Sequence, residues 1–215
     1  WNTHTENGFP QAIIHFPYAM ETDKGYYDYS SKNDPGLIMF SASNAPLRGS
    51  LGDDPEERFV NPIELGWGKA VSFDHEFIGK EALARIAAGN PRRMVSLVWN
   101  VDDIMAIKRS EFEPGEPYAK LEGPEDYNEA GTYEYIADKV TIDGKTIGTS
   151  TGRIHSWYYR QMISLGLLEP EYCEIGRDVK IVWGDPGSRQ KEIRATVSRY
   201  PYMDENRNET LDLSR

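Results

Sequence analysis

The sequence predicts an α+β protein in two parts that meet near residue 91, with mixed α and β before that point and a small antiparallel β-barrel or sandwich after it. Two observations carry the prediction. Beyond residue 91, short alternating runs are separated by tight turns of Gly, Asp and Pro. Before it, turn-rich apolar fragments lead into one amphipathic helical stretch. The 215 residues, 39% hydrophobic and 27% charged, suffice for one large domain or two modest ones with a real core.

Residues 1–60 carry Pro10, Pro17, Gly25, the run Asn33-Asp34-Pro35-Gly36, Pro46, Gly49 and Gly52. Between them lie "AIIHF" and "GLIMF", each short enough for a buried strand or a helical turn. "KAVSF" alternates as a strand does. "GKEALARIAAG" reads as a helix, with Ala82, Leu83, Ile86 and Ala87 on one face and Gly89-Asn90-Pro91 as its stop. Acidic residues from Asp74 to Glu76 precede it and suit the positive end of its dipole.

"RRMVSLVWNV" predicts a strand, and an acidic loop with Pro114, Pro117 and Pro124 is expected over roughly 102–131. "DKVTIDGKTIGTST" is the strongest hairpin signal, because Asp143-Gly144 suits a type I′ turn between apolar Val140, Ile142 and Ile147. "DVKIVWG" and "EIRATVSRY" alternate too, the latter with Ile193, Ala195 and Val197 on one side. The Gly/Pro loop "GDPGSRQK" joins them.

The formal net charge of −11 argues against nucleic acid and anionic membrane as partners, since both require a basic face. No apolar run approaches a membrane span. One cysteine, Cys173, allows no internal disulfide, which points to a cytoplasmic setting. P-loop, dinucleotide, nucleophile-elbow and zincin signatures do not occur. His4, His15, His75 and His155 are scattered, without metal-ligand spacing.

The stretch "DGKTIGTSTGRIHSWYYRQMISLG" (143–166) admits two readings. Trp157 and Tyr158 are packing aromatics and Arg160 pairs with a carboxylate, or small residues at 148–152 admit a ligand and the aromatics form a stacking wall. Arg189 and Lys191 likewise meet an anion or decorate a solvated loop. Tyr27 and Tyr29, in a turn-rich segment, are phenols that donate a proton or simply pack.

Three pieces, in order, resemble one family. "NPIELGWGKAVSFDHEFIGKEAL" resembles the segment of the glycine-cleavage T-protein (aminomethyltransferase) superfamily in which a Gly-Trp pair leads to "FIGKEAL". "GKTIGTSTGRIHSWYYRQMISLG" is similar to a strand of its C-terminal domain, and "IGRDVKIVWGDPGSRQKEIRATVSRYPY" to its closing strands. The last two stand nearest the tetrahydrofolate-dependent aromatic O-demethylases of vanillate and syringate type. The resemblance covers residues 60–203.

The resemblance implies tetrahydrofolate as cofactor and a small methylated donor. It implies that residues 1–91 are the C-terminal part of a folate-binding α+β domain and that residues 92–215 are a C-terminal β-barrel domain. Family members are about twice this length, and the chain opens on Trp1 rather than Met. The N-terminal half of the same polypeptide is therefore an expected partner, with a homo-oligomer as a further possibility. The family's pterin-anchoring glutamate lies in a Leu-Glu-x-Gly motif, and "TENGF" offers Glu6, with Thr5 replacing the apolar residue. Trp67, Arg153, Trp157, Tyr158, Arg160 and Arg189 are the other cofactor-facing candidates, and Tyr27 and Tyr29 the candidate acids. The expected reaction moves a methyl group from a methoxy-aromatic to tetrahydrofolate. Aminomethyl transfer and non-catalytic folate binding are the alternatives.

Overall fold

The computed structural model describes residues 2–17, 23–33, 47–52, 57–121 and 135–203. Among the described residues three short helices come first: α1 (Asn2–Glu6), α2 (Ala12–His15) and α3 (Lys24–Asn33). The two-residue β1 (Leu47–Arg48) follows, and α4 (Lys80–Ala88) precedes β2 (Arg93–Trp99) and α5 (Val101–Ser110). The remaining strands are β3 (Tyr135–Ile142), β4 (Lys145–Ser156), β5 (Gln161–Leu168), β6 (Asp178–Trp183) and β7 (Lys191–Ser198).

Six strands pair antiparallel in the order β3-β4-β5-β2-β7-β6, and β6 returns to β3 through Val140 opposite Ile181. The sheet is therefore a closed barrel, not a sandwich, and among the described residues only β1 adds to it in parallel, along β3. Closure removes the open edges that an antiparallel sheet otherwise exposes. Inside, Leu97, Val140, Ile147, Leu168, Ile181, Ile193, Ala195 and Val197 form one core, as the period-2 pattern of the sequence requires. Asp143 and Gly144 both have positive φ, 49° and 81°, as a type I′ hairpin demands.

Two expectations are corrected. The loop expected over 102–131 begins instead with α5. Asn100 caps it, its Oδ1 accepting from the backbone N–H groups of Asp102 and Asp103, which also supply acidic residues to the first turn, and Lys108 and Arg109 close the last. "KAVSF" is not a strand. The N–H groups of Ala70 and Val71 bond back to Trp67 and Gly68 in a short 3₁₀ turn, so these two donors are spent locally rather than in a ladder. "AIIH" settles as helix α2, while "GLIMF" and residues 122–134 lie outside the described residues.

The predicted α4 is present and stops at Gly89, but none of its residues is buried. The segment before β2 is fixed by a local polar knot. Asn61 Oδ1 accepts from the N–H groups of Ile63 and Glu64, and the Glu64 carboxylate accepts from Asn61 and from Arg92 Nε (2.8 Å).

Candidate functional site at one end of the barrel

The strand register gathers the C-terminal ends of β2, β4 and β6 and the N-terminal ends of β3, β5 and β7 at one end of the barrel. The β4–β5 turn (157–160) and the β6–β7 loop (184–190) both lie there. Trp157, Tyr158 and Arg160 therefore share an end of the molecule with Arg189. Glu6 joins them, because its Oε1 accepts a 2.6 Å hydrogen bond from Ser156 Oγ at the last residue of β4.

The N-terminal helices are zipped to β4 by small polar residues. Thr5 Oγ1 donates to the Gly152 carbonyl at 2.7 Å. Gly152 has φ +60°, and a Cβ there would sit 3.2 Å from that hydroxyl, so glycine serves both the backbone and the close approach. Ser156 Oγ, donor to Glu6, also accepts from Tyr159 N–H at 3.1 Å, and Met203 N–H donates to the Glu6 carbonyl at 2.7 Å. The Tyr200 hydroxyl donates to the Gly8 carbonyl. The "GTSTGRIHS" run is thus, first, the strip on which residues 2–15 are mounted.

His15 completes that strip. It is 2% exposed, Gln11 N–H donates to its Nδ1 at 2.9 Å, and its Nε2 bonds Thr151 Oγ1 at 2.8 Å. Burial, with the Arg58 charge adding to it, lowers its pKa to about 4, so the ring is neutral at neutral pH. These bonds tie His15 into the packing between the N-terminal helices and β4.

Beyond the strip, side chains open outward. Trp157 and Tyr158 are 79% and 70% exposed, with the Trp157 ring edge-on to His155 at 4.7 Å. Tyr159 packs inward between Tyr158 and Tyr202, each 4.9 Å away. Arg160 has φ +55°, a left-handed conformation that costs a side-chain-bearing residue about 1–2 kcal/mol.

Arg153 is buried instead, its guanidinium 5.1 Å from the Trp183 ring of the barrel core. Arg189 stacks on Tyr118 at 4.0 Å and donates to the Glu116 carbonyl at 2.7 Å, which holds the 116–118 segment on the barrel end. Tyr27 and Tyr29 lie on α3, with Tyr29 67% exposed. Trp67 is half exposed at the head of the 3₁₀ turn. Cys173 is half-buried against the Leu168 and Glu169 carbonyls, and burial raises its thiol pKa.

A groove of about 800 Å³ runs along the outer wall of the barrel, between α5, the end of β2, the start of β5 and β7. Sequence reading missed it because α5, one of its walls, was expected to be loop. The pattern Asn100-Val101-Asp102-Asp103, ending in Lys108-Arg109, was the signal that could have found the helix.

No family model matches the chain. Among known proteins it is 42% identical to the sesamin methylene transferase of Sinomonas sp., over 98% of this chain and 48% of that protein. It is 31% identical to the syringate O-demethylase of Sphingobium sp., over 66% of this chain and 32% of that protein. An aminomethyltransferase of Desulfitobacterium hafniense is 30% identical over 71% of this chain and 32% of its own length. The chain thus spans about half, or less, of the length of these relatives. Relatives that carry methylene-transferase, O-demethylase and aminomethyltransferase names together meet the three motif pieces read from the residues, and the chain belongs to the glycine-cleavage T-protein-like superfamily.

Proposed function

We propose that the protein is a tetrahydrofolate-dependent one-carbon transferase that takes a methyl group, or the methylene of a methylenedioxy ring, from an aromatic ether. The observation that carries this reading is the 42% identity, along nearly the whole chain, to a sesamin methylene transferase, with a syringate O-demethylase also among its relatives. On this reading residues 1–91 are the end of the folate-binding domain and residues 92–215 the barrel domain. Further residues of the same polypeptide complete the cavity.

The residues at the barrel end fit the cofactor in kind. Glu6 presents a carboxylate held at one oxygen by Ser156, suited to anchoring a pterin N–H. Trp157 and Tyr158 offer ring faces with little packed on them, whereas Trp67 stands on the segment that bonds to the opposite, N-terminal end of β2. Arg160 is the most available cation for a carboxylate, whereas Arg153 and Arg189 contribute through their stacked positions. When bound, tetrahydrofolate supplies the nitrogen nucleophile that accepts the one-carbon unit. The chain's own task is to hold donor and acceptor in line and to stabilise charge on the departing phenolic oxygen. Tyr27 and Tyr29 are the candidate proton donors for that oxygen.

The test is mass spectrometry of folate products after incubating the complete polypeptide with tetrahydrofolate and a donor panel. The panel holds methoxybenzoates, methylenedioxybenzenes, methylated amines and sulfonium compounds. One-carbon-loaded folate is expected with the aromatic ethers alone. Product from a methylated amine or sulfonium compound only would replace this reading with demethylation of that donor, and no product from any donor would leave aminomethyl transfer or non-catalytic folate binding.

A further inference from the structure

Glu6 is a buried carboxylate that the described residues leave half satisfied. It is 8% exposed, and its side chain takes one hydrogen bond, from Ser156 Oγ to Oε1 at 2.6 Å. Among the described residues no donor reaches Oε2 and no cation pairs with the group. A buried carboxylate is costly unless its lone pairs and charge are met, so an oxygen kept in this state is one reserved for the donors of a ligand.

Ser156 decides how that oxygen is presented. The serine is fully buried at the last residue of β4. Its hydroxyl has one proton to give and lone pairs to accept with. It accepts the Tyr159 N–H at 3.1 Å, and an ionised carboxylate can only accept, so the proton goes to Glu6. That bond fixes the terminal torsion of the glutamate, which is otherwise broad. The main chain beside it is pinned as well. Met203 N–H donates to the Glu6 carbonyl at 2.7 Å, and Thr5 Oγ1 donates to the Gly152 carbonyl at 2.7 Å. With its backbone and one oxygen both tied to the barrel, Glu6 holds Oε2 in a set direction.

We infer that Ser156 is a positioning residue, which aims the Glu6 carboxylate at the pterin ring of tetrahydrofolate. The pterin carries its 2-amino and N3–H groups side by side, a pair of donors that one held carboxylate accepts. The inference rests on the folate reading above and adds that strand β4 of the barrel sets the pterin contact. The serine does not touch the cofactor; it acts through Glu6.

The experiment is anaerobic equilibrium dialysis of the complete polypeptide against tetrahydrofolate, in four forms: unaltered, Ser156→Ala, Glu6→Ala and the double variant. Ser156→Ala should weaken tetrahydrofolate about tenfold, the scale of one hydrogen bond to a charged group, and by less than about twofold once Glu6 is alanine. Thr5→Val breaks the neighbouring bond to Gly152 without touching the carboxylate, so at a similar drop in melting temperature it should weaken tetrahydrofolate far less. Ser156→Cys keeps the side chain with a weaker donor and should fall between serine and alanine, and it carries the comparison if Ser156→Ala does not fold. Unchanged affinity in Ser156→Ala, the same fold loss with and without Glu6, or an equal loss in Thr5→Val would overturn the proposal. The second of these would place the serine's part in the 157–160 turn, and the third in the general mounting of α1. Failure of the unaltered polypeptide to bind tetrahydrofolate would overturn the folate reading and this inference with it, a result that no variant can mimic.

Discussion

At the scale of single residues, His15 ties protonation to the mounting of the N-terminal helices. Its Nδ1 accepts from Gln11 N–H and its Nε2 bonds Thr151, so the neutral ring satisfies both contacts. Protonation would put a charge in a site that is 2% exposed and lies near Arg58. The folded pKa, about 4, is below the ordinary 6.5, so between those values the unfolded chain binds more protons than the folded one. The stability this histidine contributes is full above about pH 6.5 and is lost as pH falls toward 4, up to on the order of 3 kcal/mol. Urea unfolding at steps from pH 7 to pH 5 should show that decline, before most carboxylates titrate. His15→Gln should be less stable at pH 7 and flatter across the same window. An equal slope in both proteins would mean that His15 is hydrated.

At the scale of elements, the Asp103 carboxylate ties α5 to the barrel beside the contacts of Asn100 and the buried Ile107. Asp103 Oδ2 accepts from Arg194 N–H at 2.9 Å and from Arg194 Nε at 2.8 Å, and Lys191 stands 3.6 Å from Oδ1. The donated bonds from Arg194 hold its carboxyl below the usual carboxylate range. Asp103→Ala leaves the Arg194 N–H without its acceptor, while the half-exposed guanidinium keeps Asn100 Oδ1 and solvent, and should cost about 1–2 kcal/mol, read as a lower urea midpoint at unchanged slope. Amide exchange in residues 104–107 should quicken at the same time, and a loss below about 0.5 kcal/mol would mean that the apolar contacts of Ile107 alone hold the helix. The strands were legible in the residues because one-sided burial writes itself as strict alternation, clearest in Ile193, Ala195 and Val197. The hairpin was legible because Asp143-Gly144 is among the few pairs that take positive φ twice. α5 was not, since its ten residues carry their signal in a cap and a charge gradient rather than in a long apolar stripe. "KAVSF" misled because alternation over five residues does not say whether a partner strand exists. Of the site, Trp157, Tyr158 and Arg160 were legible as a cluster. The burial of Arg153 and the stacking of Arg189 on Tyr118 were not, because both depend on contacts across the fold.

At the scale of the whole molecule, the barrel closes because one strand bends where two others pass close. β4 shifts register against β3 between Val140 and Thr141, and Gly148 stands opposite Val140 at that irregularity. On its other side β4 lies so near β5 that a Cβ on Gly148 would fall 2.1 Å from the Leu167 carbonyl oxygen and 2.9 Å from Leu168 Cα. Both obstacles are backbone, so no side-chain rotation relieves them. Gly148→Ala must push β4 from β5 just where β3, β4 and β5 curve together, and a barrel without edges has no free strand to absorb the shift. Strand separation there also opens the core around Ile147 and Leu168, both fully buried. The expected loss exceeds about 3 kcal/mol, well above what a surface glycine change costs. Gly144→Ala in the nearby hairpin meets no atom within 4 Å and is the control, strained by its φ of 81° alone. Parallel urea curves should separate the two variants by at least 1 kcal/mol, with Gly148→Ala the weaker. Equal losses would place the stress of closure elsewhere in the barrel and make Gly148 an ordinary strand glycine.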